Sequence, residues 1–305
     1  RRFGSVRFCH LPPLRSDSPV DQDMLAESDA SLDSTRLVNE IAGYGRTLVA
    51  FSGGVDSSVV LAAAVRALGA SQVAALTAVS PALPAAELDA AARFCATLGV
   101  THHAVPTAEL DVAGYRANGP DRCYFCKSTL LDTANRLARE HGFAVVATGT
   151  NASDVAAGFR PGIRAAAERG ARTPLADLDL DKAAVRAIAS EWQLAPADKP
   201  AAACLASRIA YGIGITSARL ARVERAEVAL RRLLGDHTVN LRVRDLGETV
   251  RVEVDETAVP AVRDDPRVAA AIAEVGFAGR PLDVRAFRSG SMNDLLPDPE
   301  RWRHA

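Results

Sequence analysis

The sequence predicts an α/β protein, with a doubly wound parallel sheet followed by a smaller C-terminal α+β domain. From residue 33 onward, short apolar runs alternate with helical segments, which is the order of βαβ units in a parallel sheet. Beyond residue 216 the order changes to helix, strand, strand, helix, strand, which indicates a separate α+β unit. We therefore expect one domain over residues 33–210, a second over 211–288 and a polar tail over 289–305.

The first 32 residues carry Pro12, Pro13 and Pro19 among scattered serines and aspartates, with no hydrophobic period. Such a composition predicts a disordered or poorly ordered extension. Met24 precedes the first helix-like segment and is a candidate for the native start. We assign no role to Cys9, which lies in this stretch.

The elements of the first domain follow from where the apolar runs begin and end. The run 47–51 predicts a buried strand, and the Ala- and Val-rich run 57–68 predicts the helix that leaves it. In sheets of this kind, ligands bind at the carboxyl ends of the strands. The other predicted elements are helix 35–42, strand 72–78, helix 84–98, strand 101–105, helix 124–140, strand 144–148 and helix 182–193.

A segment without a clear period, residues 202–216, links the two domains and contains Gly212 and Gly214. We interpret it as a loop or linker. The second domain is then predicted to consist of helix 217–234, strands 238–244 and 249–254, helix 259–275 and strand 281–286.

Composition narrows the function classes. The 305 residues include 36 basic and 37 acidic side chains, and a net charge of −1 disfavours nucleic acid as the main partner. No apolar run reaches transmembrane length and no signal-peptide core is present near the start, so we expect no membrane association and a cytoplasmic location. Five cysteines in a chain of this length do not form a disulfide framework, which makes ligand or nucleophile roles more plausible for them.

The strand-to-helix turn at 51–58 has the composition of a phosphate-binding loop. Two glycines let the backbone N–H groups approach an anion, the serine hydroxyls add donors, and the positive end of the helix faces the bound charge. Asp56 would repel a polyphosphate unless a divalent cation lay between them, so we interpret it as a Mg²⁺ ligand. The predicted nucleotide-binding residues of this loop are Ser52, Gly53, Gly54, Asp56, Ser57 and Ser58.

The string Ser-Gly-Gly-Val-Asp-Ser at 52–57 resembles the fingerprint of the PP-loop ATP pyrophosphatases. That resemblance implies an enzyme that activates a substrate with AMP and releases pyrophosphate.

A second motif, Cys123-x-x-Cys126, lies at the predicted start of a helix. The helix dipole there favours thiolates, and so favours metal ligation or nucleophilic attack. One pair of cysteines cannot complete a tetrahedral zinc site, and two half-buried structural cysteines remain an alternative. Cys204 lies in the linker with Ser207 and Arg208 close by, which supply a donor and a cation for a thiolate.

Five segments together resemble the LarE family, the ATP-dependent sulfur transferases of nickel-pincer cofactor biosynthesis, over about residues 35–288. They are 52–57, Arg122-Cys-Tyr-Phe-Cys-Lys127, Gly149-Thr-Asn-Ala152, Arg160-Pro-Gly162 and Cys204-Leu-Ala-Ser-Arg208. The resemblance implies that Mg·ATP adenylates a carboxylate of pyridinium-3,5-biscarboxylic acid mononucleotide. Sulfur then attacks, AMP leaves and a thiocarboxylate results.

The family resemblance leaves two sulfur sources open. Members with only the cysteine equivalent to Cys204 give up that side chain's own sulfur, whereas members with three cysteines are similar to carriers of a [4Fe-4S] cluster. Cys123, Cys126 and Cys204 place this sequence with the second group. Three thiolates on a cubane leave one iron open, as a sulfide carrier requires.

The resemblance also implies roles for other residues. Ser207 and Arg208 would hold the substrate phosphate or the departing AMP, and Asn151 would contact the nucleotide or its metal, although a helix cap is the alternative for Asn151. Arg242 and Arg244 are two apart on a strand and so share a face; the alternative is a solvent-facing Arg-x-Arg. The predicted substrate-binding residues are Ser207, Arg208, Glu227, Arg242, Arg244 and Glu253, with an ordinary helix-surface position as the alternative for Glu227.

The same resemblance implies a homo-oligomer that acts between an upstream carboxylase/hydrolase and a downstream nickel insertase. Two other hypotheses stay open at this point. One is a PP-loop enzyme that thiolates tRNA, which the nearly neutral charge disfavours. The other is a nucleotide-gated protein that binds a metal cluster without adenylation chemistry.

Overall fold

The computed structural model describes residues 19–157, 160–199, 203–235 and 238–296, with side chains from residue 29 onward. Residues 1–18 of the expected N-terminal extension lie outside the described residues. Pro19–Ala42 is helix α1, and the disordered or poorly ordered extension over residues 1–32 stays a prediction. In the described ranges, no helix combines the length and apolar character that a membrane span needs.

The first sheet has four parallel strands in the order β3-β2-β1-β4 and confirms the predicted α/β class. The chain moves outward from β1 to β2 and β3, then returns to place β4 on the other side of β1. A crevice for ligands opens where the order reverses, at the carboxyl ends of β1 and β4. The elements are β1 (Thr47–Ala50), α2 (Val55–Leu68), β2 (Val73–Val79), α3 (Ala85–Thr97), β3 (Thr101–Pro106), α4 (Ala113–Arg116), α5 (Arg122–His141), β4 (Val145–Thr148), α6 (Ala152–Ala156), α7 (Pro161–Glu168), α8 (Pro174–Asp177) and α9 (Lys182–Glu191).

The core of this domain is built around α2. Strand β1 is buried along its whole length, and nine of the helix's residues, most of them Val, Leu or Ala, are buried as well. Small side chains let α1 and α9 pack closely on α2, which fixes the start of α2 beside the end of β1.

The second sheet has three strands in the order β5-β6-β7, the first pair antiparallel and the second parallel. The single helix predicted over 259–275 is wrong, because Pro266 follows Asp265 in extended backbone and starts a new helix. The elements are α10 (Ser217–Leu234), β5 (Leu241–Asp245), β6 (Val250–Val254), α11 (Val259–Asp264), α12 (Pro266–Ile272), a π-helical turn (Ala273–Phe277) and β7 (Leu282–Ala286).

The described part of the predicted tail packs on this second sheet. Ser291–Leu295 forms a 3₁₀ turn, and Met292 and Leu296 are buried. The Ser291 hydroxyl donates a hydrogen bond to Glu253 at 2.9 Å. Residues 289–296 are therefore part of the second unit and not a loose end.

A buried polar joint fastens the linker to the first domain. Asn118 is fully buried with a left-handed φ of 54°, and its amide donates to the carbonyls of Ala210 (2.8 Å) and Ile213 (2.9 Å). Arg122, at the start of α5, donates to the Asn118 side-chain oxygen and to the Ala206 carbonyl at 3.1 Å. These bonds hold the segment that follows Cys204 against the helix that carries Cys123 and Cys126.

We expect Asn118→Ala to lower the free energy of unfolding by about 3 kcal/mol, because it removes the amide donor to the linker carbonyls and one acceptor of the buried Arg122 guanidinium. Asp179→Ala is the matched control: Asp179 also has a left-handed φ, of 57°, but is exposed. The control should cost about 1 kcal/mol of backbone strain alone. Urea denaturation measures both changes, and equal losses would contradict the role of the joint.

Candidate functional site

The loop between β1 and α2 is closed by its own serines. Gly53 has a φ of 72°, in the left-handed region that favours glycine. The Ser52 and Ser57 hydroxyls lie 3.2 Å apart, and the Ser57 and Ser58 hydroxyls donate to the Gly54 carbonyl at 3.1 and 2.9 Å. The first-turn N–H groups of α2 have no partner within the helix and face the crevice, as anion binding requires.

The turn after β4 packs directly on this loop. Asn151 is buried; its amide donates to the Asp56 carboxylate at 2.8 Å, and its oxygen accepts from the Asp154 N–H at 2.9 Å. Asn151 therefore caps α6, which is the alternative interpretation, and also orients Asp56; its contact with the nucleotide or its metal stays a prediction. A Cβ at Gly149 would lie 2.6 Å from the Ser57 nitrogen, so only glycine allows this approach.

One cavity of about 370 Å³ joins the phosphate-binding loop to two of the three predicted cysteines. Its walls come from the carboxyl ends of β1, β2 and β4 and from the start of α5. Its lining includes Ser52, Asp56, Ser57, Thr77, Glu109, Cys126, Lys127, Gly149, Asp154 and Cys204.

The cysteine pair lies at the start of a helix, as predicted, since α5 begins at Arg122. The expected lowering of the thiol pKa values is wrong, because desolvation outweighs the helix dipole. Burial raises the pKa of Cys126, and the charges of Cys204 and Glu109 raise it further. Desolvation raises the pKa of Cys123 too, against the opposing effect of Arg122.

The three thiols share one neighbourhood. The pKa of the Arg122 guanidinium is raised overall: burial acts to lower it, but the charges of Cys204 and Cys123 act in the opposite direction and outweigh burial. Within the described ranges, however, no group of three or more His, Cys, Asp or Glu side chains stands ready to surround a metal ion. Three thiols suit an iron–sulfur cluster as a donor set, but only Cys126 and Cys204 line the cavity, and the side chains must turn toward one another to hold a cluster.

Two carboxylates beside the loop suit a Mg²⁺ ion bound together with phosphate oxygens. Asp56 and Asp154 both line the cavity; the Asn151 side-chain amide donates to the Asp56 carboxylate at 2.8 Å, and the Asn151 backbone N–H donates to the Asp154 carboxylate at 3.4 Å. Magnesium in nucleotide sites is held by one or two carboxylates, with phosphates and waters completing the octahedron.

A second cavity, of about 210 Å³, lies on the other side of the Cys204 segment and carries three arginines. Arg242 and Arg244 are buried, so the alternative of a solvent-facing Arg-x-Arg is wrong. Arg244 pairs with Glu253 at 2.7 Å, and burial, followed by the neighbouring Arg208, lowers the pKa of Arg242 to about 10. The lining includes Arg122, Ser207, Tyr211, Arg242, Arg244, Phe287, Ser289 and Ser291.

Arg208 and Glu227 form a buried pair that fixes the backbone around Cys204. The guanidinium donates to both Glu227 oxygens, at 2.9 and 3.3 Å, and to the carbonyls of Ala203 and Cys204 at 2.6 and 3.2 Å. Glu227 also accepts from the Val243 N–H, so its interpretation as a helix-surface residue is wrong. The Ser207 hydroxyl donates to the Cys204 carbonyl at 2.8 Å.

Sequence reasoning missed several residues around the two cavities. Lys199, which precedes the linker, donates to the Gly53 carbonyl at 3.2 Å and pairs with Glu87 at 2.5 Å, so it contacts the phosphate-binding loop directly. Lys127 lines the first cavity, and burial lowers its pKa. Tyr211 and Phe287 line the second. Of these residues, only Lys127 could have been identified from the sequence, because it directly follows the Cys123-x-x-Cys126 motif.

Comparison with known proteins gives one family match and three relatives. The sequence model of the asparagine synthase family matches residues 45–233. A pyridinium-3,5-bisthiocarboxylic acid mononucleotide synthase from Lactiplantibacillus plantarum is 36% identical over 262 residues, which cover 85% of this chain and 93% of the relative. An uncharacterised protein of Synechocystis sp. is 42% identical over 254 residues, 82% of this chain and 93% of the relative. A second uncharacterised protein, from Methanocaldococcus jannaschii, is 26% identical over 172 residues, 56% of this chain and 66% of the relative.

We expect Gly149→Ala to weaken ATP binding by about tenfold or more, because the added methyl collides with the backbone of Asp56 and Ser57 and displaces the loop. Gly43→Ala is the control, since the nearest atom to its added Cβ is 3.8 Å away. Calorimetric titration with ATP measures both variants. Unchanged affinity in Gly149→Ala would show that the loop tolerates displacement.

Proposed function

The chain belongs to the LarE family of ATP-dependent sulfur transferases in the PP-loop superfamily, and from this we propose that it converts the carboxylates of pyridinium-3,5-biscarboxylic acid mononucleotide to thiocarboxylates. The observation that carries the proposal is the single cavity running from the phosphate-binding loop to Cys126 and Cys204. An activated carboxylate formed at one end lies within reach of sulfur at the other. In this scheme the chain acts after the enzyme that makes the biscarboxylate and before the enzyme that inserts nickel.

In the proposed first step, a substrate carboxylate oxygen attacks the α-phosphorus of ATP, the bond to the β-phosphate bridging oxygen breaks, and pyrophosphate leaves. The N–H groups at the start of α2 and the Ser52 and Ser57 hydroxyls would hold the phosphates. Asp56, oriented by Asn151, would hold Mg²⁺ together with Asp154. The metal supplies charge neutralisation on the phosphates.

In the second step, sulfur attacks the acyl carbon, the bond to AMP breaks and AMP leaves with the bonding electrons. The arginine cavity supports a substrate with several negative charges, because Arg122, Arg242 and Arg244 converge there behind the Cys204 segment. We assign the substrate's phosphate and the carboxylate that is not reacting to this cavity, with Ser207 at its edge and Arg208, Glu227 and Glu253 holding the arginines and the Cys204 backbone in place.

For the sulfur source we propose a [4Fe-4S] cluster held by Cys123, Cys126 and Cys204. Cys126 and Cys204 line one cavity, and Cys123 lies one helical turn before Cys126 on α5, which supports this source; three protein ligands leave one iron to carry sulfide. The second candidate is sacrifice of the Cys204 sulfur itself. The absence of a converged thiol set in the described residues favours that candidate, so a direct test is needed.

We expect Asp56→Asn to reduce substrate-dependent AMP and pyrophosphate formation by about 100-fold or more, because it removes the charge that binds the metal. The asparagine still accepts the Asn151 hydrogen bond, so the loop geometry is kept. Asp89→Asn, at an exposed position on α3, is the control and should be fully active. The substrate is the biscarboxylate mononucleotide, and its thiocarboxylate product is followed by mass spectrometry. A wild-type chain that binds ATP without forming AMP would refute the adenylation proposal.

Anaerobic reconstitution of the protein with iron and sulfide should give about four iron atoms per chain, and the Cys123→Ser and Cys126→Ser variants should bind less iron. Cys95→Ala is the control, because Cys95 is buried on α3 in the first core and burial raises its pKa to about 11. Iron analysis and visible absorption measure the result. A colourless protein whose mass falls by that of hydrogen sulfide during turnover would instead establish sacrifice of Cys204.

A further inference from the structure

His102, on the outer strand β3, is connected to the cavity that contains the phosphate-binding loop. Its register partner on β2 is Ala75, so Thr77, two residues further along β2, lies diagonally across from it on the same face of the sheet. The His102 Nε2 atom is 2.8 Å from the Thr77 hydroxyl. Thr77 is 2% exposed and lines the cavity. A residue at the edge of the sheet therefore reaches a wall of the nucleotide site through one hydrogen bond.

The hydrogen atom of the Thr77 hydroxyl is used on the backbone that enters the loop. Thr77 donates to the Phe51 carbonyl at 2.8 Å, in a fully buried bond. Phe51 directly follows the last residue of β1, and its N–H donates to the Leu76 carbonyl at 2.8 Å. Because a hydroxyl has a single hydrogen, Thr77 must accept the other bond, and His102 must donate it from Nε2.

The surroundings of the His102 ring keep it neutral and in place. Burial, followed by the charge of His103, lowers the pKa of His102, so at about pH 8 the ring carries one proton. The bond pattern assigns that proton to Nε2. The Phe51 ring meets the His102 ring edge-on, with centroids 6.5 Å apart, and stacks on Phe94 at 5.6 Å.

The Phe51 carbonyl controls the first N–H group of the loop. This carbonyl and the Ser52 N–H belong to one planar peptide unit and point in opposite directions. The Ser52 N–H donates to the Ser57 hydroxyl at 3.3 Å, and Ser57 lies in the first turn of α2. A continuous chain of hydrogen bonds thus runs from His102 on β3 to the loop, and neighbouring bonds in such a chain strengthen one another.

We propose that His102 is a positioning residue for ATP binding, because it acts through the Thr77 hydroxyl to fix the peptide between Phe51 and Ser52. His102 is not among the described residues that line the cavity, so in this scheme it does not touch the nucleotide. The inference rests on the ATP-binding part of the proposed function. No covalent bond changes in this positioning role.

Calorimetric titration of the full chain with Mg·ATP, without the mononucleotide substrate, tests the proposal. His102→Phe keeps a ring but removes the donor, and it should weaken ATP binding by about fivefold. His102→Gln places an amide donor near the position of Nε2 and should restore most of the affinity. His103→Phe is the matched control, because its ring lies on the opposite face of β3, 5.3 Å from that of His141. It should bind ATP as the wild type does.

A double-mutant cycle tests whether the effect passes through Thr77. Thr77→Val removes the hydroxyl with little change of shape. The double variant Thr77→Val/His102→Phe should bind ATP no more weakly than Thr77→Val alone, because one chain of bonds can be broken only once. Losses that multiply, to about 25-fold for two fivefold effects, would show that His102 acts by another route and would overturn the proposal.

The ring proton supplies a spectroscopic check on the wild-type chain. Nitrogen-15 NMR at about pH 8 should show His102 as the Nε2–H tautomer. The Nδ1–H tautomer would reverse the bond to Thr77 and contradict the chain of donors. A purely structural role predicts a lower melting temperature for His102→Phe with unchanged ATP affinity. If His102→Phe does not fold, His102→Gln and His102→Asn decide, since the shorter asparagine amide does not reach Thr77 and should bind ATP more weakly.

The outcome is separable from that of the proposed function. ATP binding is measured without substrate, so weakened binding in His102→Phe, in a chain that forms no AMP, would keep the positioning role and disprove adenylation. A chain that forms the thiocarboxylate, with unchanged ATP affinity in His102→Phe, would keep the enzyme and disprove the positioning role.

Discussion

The joint between Asn118 and Arg122 is the constraint on which the arrangement of both cavities depends. Asn118 reaches three carbonyls of the linker, and Arg122 reaches a fourth while starting the helix that carries the cysteine pair. Because these partners are buried, the linker has one favourable position on the first domain. That position sets Cys204 between the phosphate-binding loop and the arginine cavity. The joint acts together with other contacts between the two domains, such as the hydrogen bond from the Ala85 N–H to Glu224 at 2.8 Å.

On the ATP side, close backbone packing and one side-chain hydrogen bond together position the Asp56 carboxylate. Gly149 lets the turn after β4 touch the backbone of the phosphate-binding loop, and Asn151 uses that contact to fix the Asp56 carboxylate. On the substrate side, ion pairs fix the arginine side chains: Glu227 pairs with Arg208, and Glu253 pairs with Arg244. Buried pairs of this kind contribute little net stability but define direction, which suits groups that must meet a ligand in one orientation.

Local signals in the sequence predicted the fold class and the phosphate-binding loop, since the strand, the glycines and the helix that follows are contiguous. Helix α10 matches its predicted bounds because Thr216 caps its start and Gly235 follows its end. The sequence did not predict features that depend on residues far apart in the chain. The burial of Arg242 and Arg244, for example, depends on the packing of β7 and the 3₁₀ turn at 291–295. Prediction from the sequence also missed Asn118, whose hydrogen-bond partners in the linker lie more than 90 residues away along the chain. The pKa values of the Cys123 and Cys126 thiols likewise depend on burial, which cannot be predicted from the spacing of the two cysteines.

The wall of the arginine cavity has a consequence for biosynthesis of the protein. Phe287 to Asn293 complete that wall, whereas every residue lining the ATP-side cavity has been made by residue 204. Because chains emerge and fold from the N-terminus during translation, the nucleotide chamber can assemble first on the ribosome and the arginine cavity last. A nascent or C-terminally shortened chain would then be able to take up nucleotide while lacking the enclosure that retains an anionic substrate.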